Sequence, residues 1–455
     1  MLASLIAATL AAQTFSADAP IDANSEWAIH CGHLIDVEAG KLLGETTIVV
    51  QNGRIKSVTG GNGTTGKIAV DLANETCMPG LIDSHTHLTG QTSPTQYNDQ
   101  FRWNEADYAI RSTVYAKRTL EAGFTTVRNV GDNDYDSVSL RNAINQGLIA
   151  GPRIFTAGTA IGSSGGHADG TNGYRHDLAG DPGPKDGIIN SPDDAWKAVR
   201  LHYKNGADLI KIMPSGGVLD ESSSVDNAQL TIPEIQAIVA AAHDYGFTVA
   251  AHAHGAEGIR RAVVGGVDSI EHGTFMDEAD MKLMKEHGTW YVPTIIAGKY
   301  VEEKANVPGY YPAQVAAKAK MVGPIIQATA GKAYKAGVKI AFGTDAAVYP
   351  HGENAREFKY MVDAGMPTMF VIQAATTHAA QLLKHEKDIG SIAPGKYADV
   401  VAVNGNPLDD ITLMQHVQFV MKEGKVYKLN GQEQTPVADV TPAPSTAQGE
   451  ELIGY

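Results

Sequence analysis

Two histidines close the stretch Met78-Pro79-Gly80-Leu81-Ile82-Asp83-Ser84-His85-Thr86-His87. Met78, Leu81 and Ile82 read as a short buried strand, and residues two apart in an extended strand share a face. His85 and His87 therefore present two imidazoles side by side, which suits a metal ion. Taken alone, a histidine pair of this spacing is more often part of a polar turn. The chain, however, repeats the arrangement. Lys211 stands inside the apolar run Leu209-Ile210-Lys211-Ile212-Met213, His252 directly follows Thr248–Ala251, His272 follows Ser269–Glu271, and Asp345 follows Ile340–Gly343 through Thr344. A snorkelling lysine, a satisfied core histidine or a capping aspartate explains each one singly. A metal site explains all six at the ends of five apolar segments.

The chemistry such a set supports is hydrolysis. Imidazole and carboxylate suit Zn²⁺ and similar divalent cations. A lysine buried among apolar neighbours is costly when charged. Held neutral, Lys211 can capture CO₂ and become a carbamate whose two oxygens bridge two metal ions. Such a pair lowers the pKa of a shared water and polarises a substrate carbonyl. Asp345 would bind one ion, accept the proton of the attacking water and pass it to the leaving amine.

These residues need a scaffold, and the intervening sequence supplies one. Helical stretches end at glycine and lead at once into short apolar strands, at Gly123, Gly206, Gly246, Gly266, Gly288 and Gly337. Glycine just past a helix end takes the left-handed conformation other residues resist. Thr231 with Glu234 forms a capping box ahead of Ile235, Ile238, Val239 and Ala242 at helical spacing. The strands expected are Met78–Asp83, Thr125–Arg128, Arg153–Ala157, Leu209–Met213, Thr248–Ala251, Ser269–Glu271, Trp290–Thr294 and Ile340–Gly343. Eight strands alternating with helices predict a (β/α)8 TIM-like barrel, whose chemistry sits at the strand C-termini. Short alternating segments outside it, with a hairpin turn at Gln51-Asn52-Gly53-Arg54 and further strands at 400–403, 417–421 and 425–427, predict a small β-sandwich built from both chain ends. The expected division is 27–76 with 388–431 for that composite domain and 77–387 for the barrel.

At 455 residues the chain accommodates one barrel and a smaller domain, and its net charge of −15 without a basic run argues against nucleic acid or an anionic membrane as partner. Its two cysteines, Cys31 and Cys77, either pair or stay free. Residues 1–20 resemble the apolar core and cleavage zone of a secretory signal, without the positively charged start, and point to a periplasmic or secreted protein, with a cytoplasmic one still open. Residues 432–455, rich in Pro, Thr, Ala and Glu, read as a disordered tail.

His85-Thr86-His87, Lys211, His252, His272 and Asp345 together resemble the amidohydrolase superfamily pattern for binuclear sites with a carboxylated lysine. Met78–His87, Gly266–Gly273 and Gly390–Asp399 carry the likeness further, across residues 27–430. The chain is similar to the branch of imidazolonepropionase-like enzymes, Xaa-Pro dipeptidases (prolidases) and related carboxypeptidases, and within it especially resembles bacterial ochratoxin A-hydrolysing amidohydrolases. The resemblance implies two zinc ions and release of a C-terminal amino acid from an amide, ochratoxin A included, by a homo-oligomer such as an octamer. It also implies that His167, in Gly162-Ser163-Ser164-Gly165-Gly166-His167, contacts the scissile carbonyl as an electrophilic stabiliser. His254 replaces a tyrosine that binds the substrate α-carboxylate in prolidase-like relatives, which opens the question of the leaving residue. His254 is also the rival of His252 for the metal, and His252 is preferred because it directly follows its strand.

Tyr291 and the 294–312 loop, with Tyr310 and Tyr311, are expected beside the substrate pocket; Arg128 and Asn129 either face the site or form a salt bridge at the barrel mouth. Other readings are a Xaa-Pro dipeptidase without ochratoxin activity, a cyclic-amide hydrolase or deaminase, and an inactive scaffold. Lys211 argues against a mononuclear deaminase, and the full ligand set argues against a dead scaffold.

Overall fold

The computed structural model describes residues 26–61, 68–132, 134–221 and 224–434. The signal-like segment and residues 435–455 of the expected tail lie outside them.

Through the middle of the chain, strands alternate with helices and pair in parallel, as helical crossovers require. Leu81–Thr86, Phe124–Asn129 and Arg153–Thr156 form one three-stranded sheet; Ile210–Ile212, Val249–Ala253, Ser269–His272 and Trp290–Val292 form a four-stranded one. The two meet at both edges. Ile161 bridges Ile212, and the 340–346 segment bridges Tyr291 through Ile340 and Thr86 through Ala346. All six junction glycines have positive φ, from 72° at Gly288 to 99° at Gly123. The capping box is formed: Thr231 N–H donates to Glu234 Oε2 at 2.8 Å, and its side chain accepts from the Glu234 N–H.

Two strand expectations need correction. Ile340–Gly343 is no regular strand, because the Phe342 N–H donates to Ala374 O rather than to a neighbouring strand, while its carbonyl accepts from Ser84 N–H at 2.9 Å. The strand bearing the histidine pair starts at Leu81, since Met78 pairs with Val401 in a different sheet. Gly80 makes the break. Its N–H donates to Asp399 O at 2.9 Å, and a Cβ there would lie 2.1 Å from Thr125 Oγ1, so only glycine fits.

Both chain ends contribute to one nine-stranded sheet, which includes Trp27–Asp36, Thr46–Gln51, Arg54–Gly60, Ile68–Pro79, Val400–Asn404, Phe419–Lys422 and Lys425–Leu429. Residues 432 and 433, expected in the tail, add the short strand Gln432–Glu433, because Leu429 and Lys428 offer it an unpaired edge. The sheet curls until Arg54 bridges Tyr397, so that its distant strands share one core. Side-chain alternation divides its faces: Val400, Ala402, Phe419 and Met421 pack inward with Trp27 and Ile48, whereas Val401, Val403 and Val420 join the main core. A disulfide links Cys31 and Cys77 across the parallel pair Trp27–Asp36 and Ile68–Pro79, both cysteines fully buried. Among the described residues no helix is long and apolar enough to cross a membrane.

Candidate active site

His85 is the penultimate residue of the strand Leu81–Thr86, whose every residue is buried. Asp83, two residues earlier, accepts the His85 N–H at 3.1 Å, the Thr344 hydroxyl at 2.6 Å and the Asn354 amide at 2.8 Å. The Asp345 N–H then donates to His85 O at 2.7 Å, pinning the two segments together. Asp345 Oδ1 lies 3.5 Å from His85 Nε2 and 3.2 Å from His87 Nε2. Each imidazole is aimed by its other nitrogen: His87 Nδ1 donates to Gly131 O at 2.8 Å, and His85 Nδ1 to Glu271 Oε2 at 2.8 Å.

Opposite stands a cluster of three imidazoles. His252, His254 and His272 each bring a nitrogen within 4.8 Å of the others. Strand alternation puts His252 and His254 on one face, and their rings lie 4.8 Å apart. His252 Nε2 donates to Gly216 O at 3.2 Å, leaving Nδ1 as its lone-pair nitrogen, while His254 and His272 hold Nδ1 to Thr274 and Thr294 hydroxyls at 2.8 Å. The structure thus brings both His252 and its rival His254 beside His272.

Burial sets the electrostatics. It pushes His85 down to about 4 and His254 to about 3, and holds His252 and His272 well below the ordinary imidazole range. Neutral imidazoles offer the lone pair a metal requires. Burial also opposes ionisation of Asp345, but the His87 hydrogen bond and the charge of Lys211 help outweigh it and hold the carboxyl well below its usual range. Lys211, 1% exposed, is pushed down to about 8 by burial, against the charges of Glu271 and Asp345. His85 Nε2 is buried without a hydrogen-bond partner among the described residues. An orphaned lone pair facing carboxylate and imidazole nitrogens fits a divalent cation.

His272 and Asp345 both have left-handed backbones, φ 67° and 62°. Non-glycine residues adopt that region at a cost of order 1 kcal/mol or more, and such strain clusters at functional sites. In His272 the cause is visible. A regular strand would send Glu271 and His272 to opposite faces, yet Glu271 bonds to His85 while the His272 ring lies 4.8 Å from the His85 ring.

The five imidazoles, Lys211 and Asp345 all border one cavity of about 380 Å³. His167 lines it, its ring 4.5 Å from that of His252 and its Nδ1 2.6 Å from Asp220 Oδ2. A Cβ at Gly217 would fall 2.1 Å from the His167 ring, so glycine is what admits the imidazole. Tyr291 does not line the cavity. Its ring faces the helix layer, and its hydroxyl donates to His272 O at 2.8 Å, while its strand neighbour Val292 faces inward with Ile82 and Ala341. Tyr310 and Tyr311 pack in an apolar cluster around Val315 and do not border the cavity either. Arg128 is 1% exposed and buried beneath the cavity rather than at a mouth.

Sequence reasoning passed over several groups. Glu271 and Ser269 share a face by strand period and so were readable as an inward polar pair. Thr274 carried no signal without the fold, whereas Thr294, the first residue of the 294–312 stretch expected beside the pocket, does line the cavity. Ala297, Gly298 and Val301 line the cavity, as expected of that stretch, although it forms the helix Ile295–Lys304 rather than a loop; Val322 and Ile326 of the helix Ala313–Ala336 and the aromatic rim of Trp103 and Tyr108 carried no signal.

A model of the amidohydrolase family matches residues 76–427. Ochratoxinase from Aspergillus niger is 33% identical over 373 residues, spanning 77% of this chain and 75% of that protein. A crystal structure of a Xaa-Pro dipeptidase with methionine bound in its active site is 48% identical, with a TM-score of 0.86, over 89% of this chain and 100% of the other. A prolidase complexed with N-methylphosphonate-L-proline is 32% identical, with a TM-score of 0.81 over 89% and 100% of the two chains.

Proposed function

The chain belongs to the amidohydrolase family and is a hydrolase of amide bonds, and we propose that it is a binuclear zinc enzyme releasing a C-terminal amino acid from N-acyl amino acids and dipeptides, with ochratoxin A among its substrates. The observation that carries this reading is the convergence of His85, His87 and Asp345 with His252 and His272 around Lys211 on one cavity. Those six residues would hold two divalent ions, with Lys211 carboxylated as one of the ligands. The two parallel sheets, joined at both edges, are arcs of one (β/α)8 barrel, with 77–387 as the catalytic domain and 27–76 with 388–431 as the composite β-domain. The assembly is a homo-oligomer.

When bound, the ions supply Lewis acidity toward the carbonyl and acidity to water. The protein's own groups do the rest. Asp345, ionised and at hydrogen-bond reach of His87, takes the proton of the attacking water and returns it to the departing amine. His167, steadied by Asp220, donates to the carbonyl oxygen as negative charge develops. His254 lies beside His252 and His272, and in this reading it contacts the substrate carboxylate. The wall of Val301, Val322 and Ile326 receives an apolar or aromatic side chain. The buried Cys31–Cys77 disulfide supports an oxidising compartment, periplasmic or extracellular.

Dipeptides with C-terminal proline are the second reading, favoured by the proline analogue bound to the prolidase neighbour. The deciding experiment is hydrolysis of ochratoxin A, N-acyl amino acids and Xaa-Pro dipeptides by the native chain and by Lys211→Ala, with metal counted in both. Phenylalanine release by a protein holding two zinc ions, both activities lost in the variant, is the expected result. Two zinc ions without cleavage of any N-acyl amino acid would sink the substrate class, and no zinc would sink the mechanism.

A further inference from the structure

We propose that Arg128 and Glu271 are positioning residues that fix which nitrogen of His85 faces the metal, an inference that rests on the metal reading above. The Arg128 guanidinium spans two ligand-bearing strands: Nε donates to Ser84 O at 2.5 Å, Nη1 to Ser269 Oγ at 3.0 Å and Nη2 to Glu271 Oε1 at 2.7 Å. Ser269 Oγ donates to that same carboxylate oxygen at 2.5 Å. The other oxygen, Oε2, accepts from His85 Nδ1 at 2.8 Å. Arg128, Ser269, Glu271 and His85 are each 1% exposed or less.

The direction of these bonds is forced. An ionised carboxylate only accepts, so His85 Nδ1 carries the proton and Nε2 the lone pair. That Nε2 is buried and has no hydrogen-bond partner among the described residues. The other imidazoles around the cavity floor are held by neutral groups: the carbonyls of Gly131 and Gly216 for His87 and His252, the hydroxyls of Thr274 and Thr294 for His254 and His272. Apart from Asp345, which faces His85 and His87 from the cavity side, His85 alone among these five bears on a carboxylate, and Arg128 supplies the counter-charge that the buried Glu271 needs. A buried ion pair is a poor device for stability alone, because apolar residues of similar volume generally serve as well. What this pair adds is orientation. The carboxylate fixes the tautomer and ring plane of His85 and strengthens it as a ligand, and losing such a partner typically weakens metal binding about 10- to 100-fold. The Ser84 and Ser269 contacts tie the guanidinium to the strands of His85 and His272, so the pair also sets those two ligands relative to each other.

The test is titration of the full chain with Zn²⁺ under chelator competition and with Co²⁺ by absorbance, for the native protein, Glu271→Gln and the double variant Arg128→Met/Glu271→Leu. The double variant removes both charges and so leaves no buried ion unpaired, which guards against a folding failure of the single one. We expect one of the two metal equivalents to bind about 10- to 100-fold more weakly in both variants. We also expect an altered Co²⁺ spectrum and, in the double variant, a melting temperature of the metal-stripped protein close to native. A native protein that binds two ions, with variants that match its affinity and spectrum and differ only in melting temperature, would overturn this inference alone. A native protein that binds no zinc would overturn the metal reading and the inference with it.

Discussion

Tyr291 buttresses His272 at the point where the chain leaves its strand: the tyrosine hydroxyl donates to the His272 carbonyl at 2.8 Å, and His272 has φ 67°. The phenol is fully buried, so its one polar atom is committed to the backbone of His272 rather than to substrate. Tyr291→Phe should leave that carbonyl unsatisfied at a cost of about 1–3 kcal/mol. Urea unfolding should show that loss together with weaker zinc retention, while KM stays near native. A large rise in KM with unchanged stability would instead restore Tyr291 to the substrate pocket.

Lys211 gives a pH signature. Only the neutral amine captures CO₂, and burial pushes this ammonium down to about 8 from the ordinary 10.5, against the opposing pull of Glu271 and Asp345. Below about 8 the neutral fraction rises roughly tenfold per pH unit, and above it the fraction saturates. Reactivation of metal-stripped protein by zinc and bicarbonate should therefore accelerate from pH 6.5 to 8 and then level off. A rate still climbing steeply from pH 9 to 10 would mean that the lysine is an ordinary one.

Asp345 separates binding from proton transfer. Asp345→Asn keeps an oxygen near His87 but removes the proposed base, so kcat should fall by about 10²- to 10⁴-fold, with KM changed far less. Steady-state kinetics on an N-acyl phenylalanine, read beside the zinc content, checks this. A variant retaining tenths of native kcat would move the base elsewhere, with His167 the next group to examine.

Much of this site was legible because its residues are improbable where they stand. A lysine inside Leu209–Met213 and histidines ending apolar segments contradict burial preference, and the contradiction marked them. The junction glycines and the Thr231 box were equally readable, since their chemistry is local. What escaped depends on register between distant segments. Met78 looked continuous with Leu81, and only the approach of Thr125 to Gly80 and the pairing of Met78 with Val401 divide them. Tyr291 looked like a pocket residue because its strand leads to the site, and a one-residue alternation turned it to the helix layer. The 340–346 segment lost its strand character to a hydrogen bond from Phe342 to Ala374, a partner 32 positions away that no local pattern signals.

The disulfide predicts a stability effect separable from catalysis. Cys31 and Cys77 are 46 residues apart, and closing a loop of that size is worth about 2–4 kcal/mol. Cys31→Ala/Cys77→Ala should lower the urea midpoint accordingly, with kcat little changed, because the bond lies in the sheet of the chain ends and not around the cavity. Equal midpoints with and without reductant for the native protein would show that the bond does not form in solution.

Gly298 is the most direct handle on which substrates enter. It lies on the helix Ile295–Lys304 and faces Ile326 of the helix Ala313–Ala336 so closely that a Cβ would come within 2.7 Å of Ile326 Cγ2. Both residues line the cavity, so a larger side chain must either push Ile326 back or intrude into the space beside it. Overpacking of that kind costs about 1–3 kcal/mol, and about 1.4 kcal/mol is a tenfold change in affinity. Gly298→Val should therefore lower kcat/KM for phenylalanine amides at least about tenfold while sparing those of alanine or glycine, which do not reach the wall. Comparison of that ratio between native and variant checks it. Equal losses for large and small leaving residues would show that the wall faces the acyl portion of the substrate, and selectivity would then have to be read from the His254 side of the cavity.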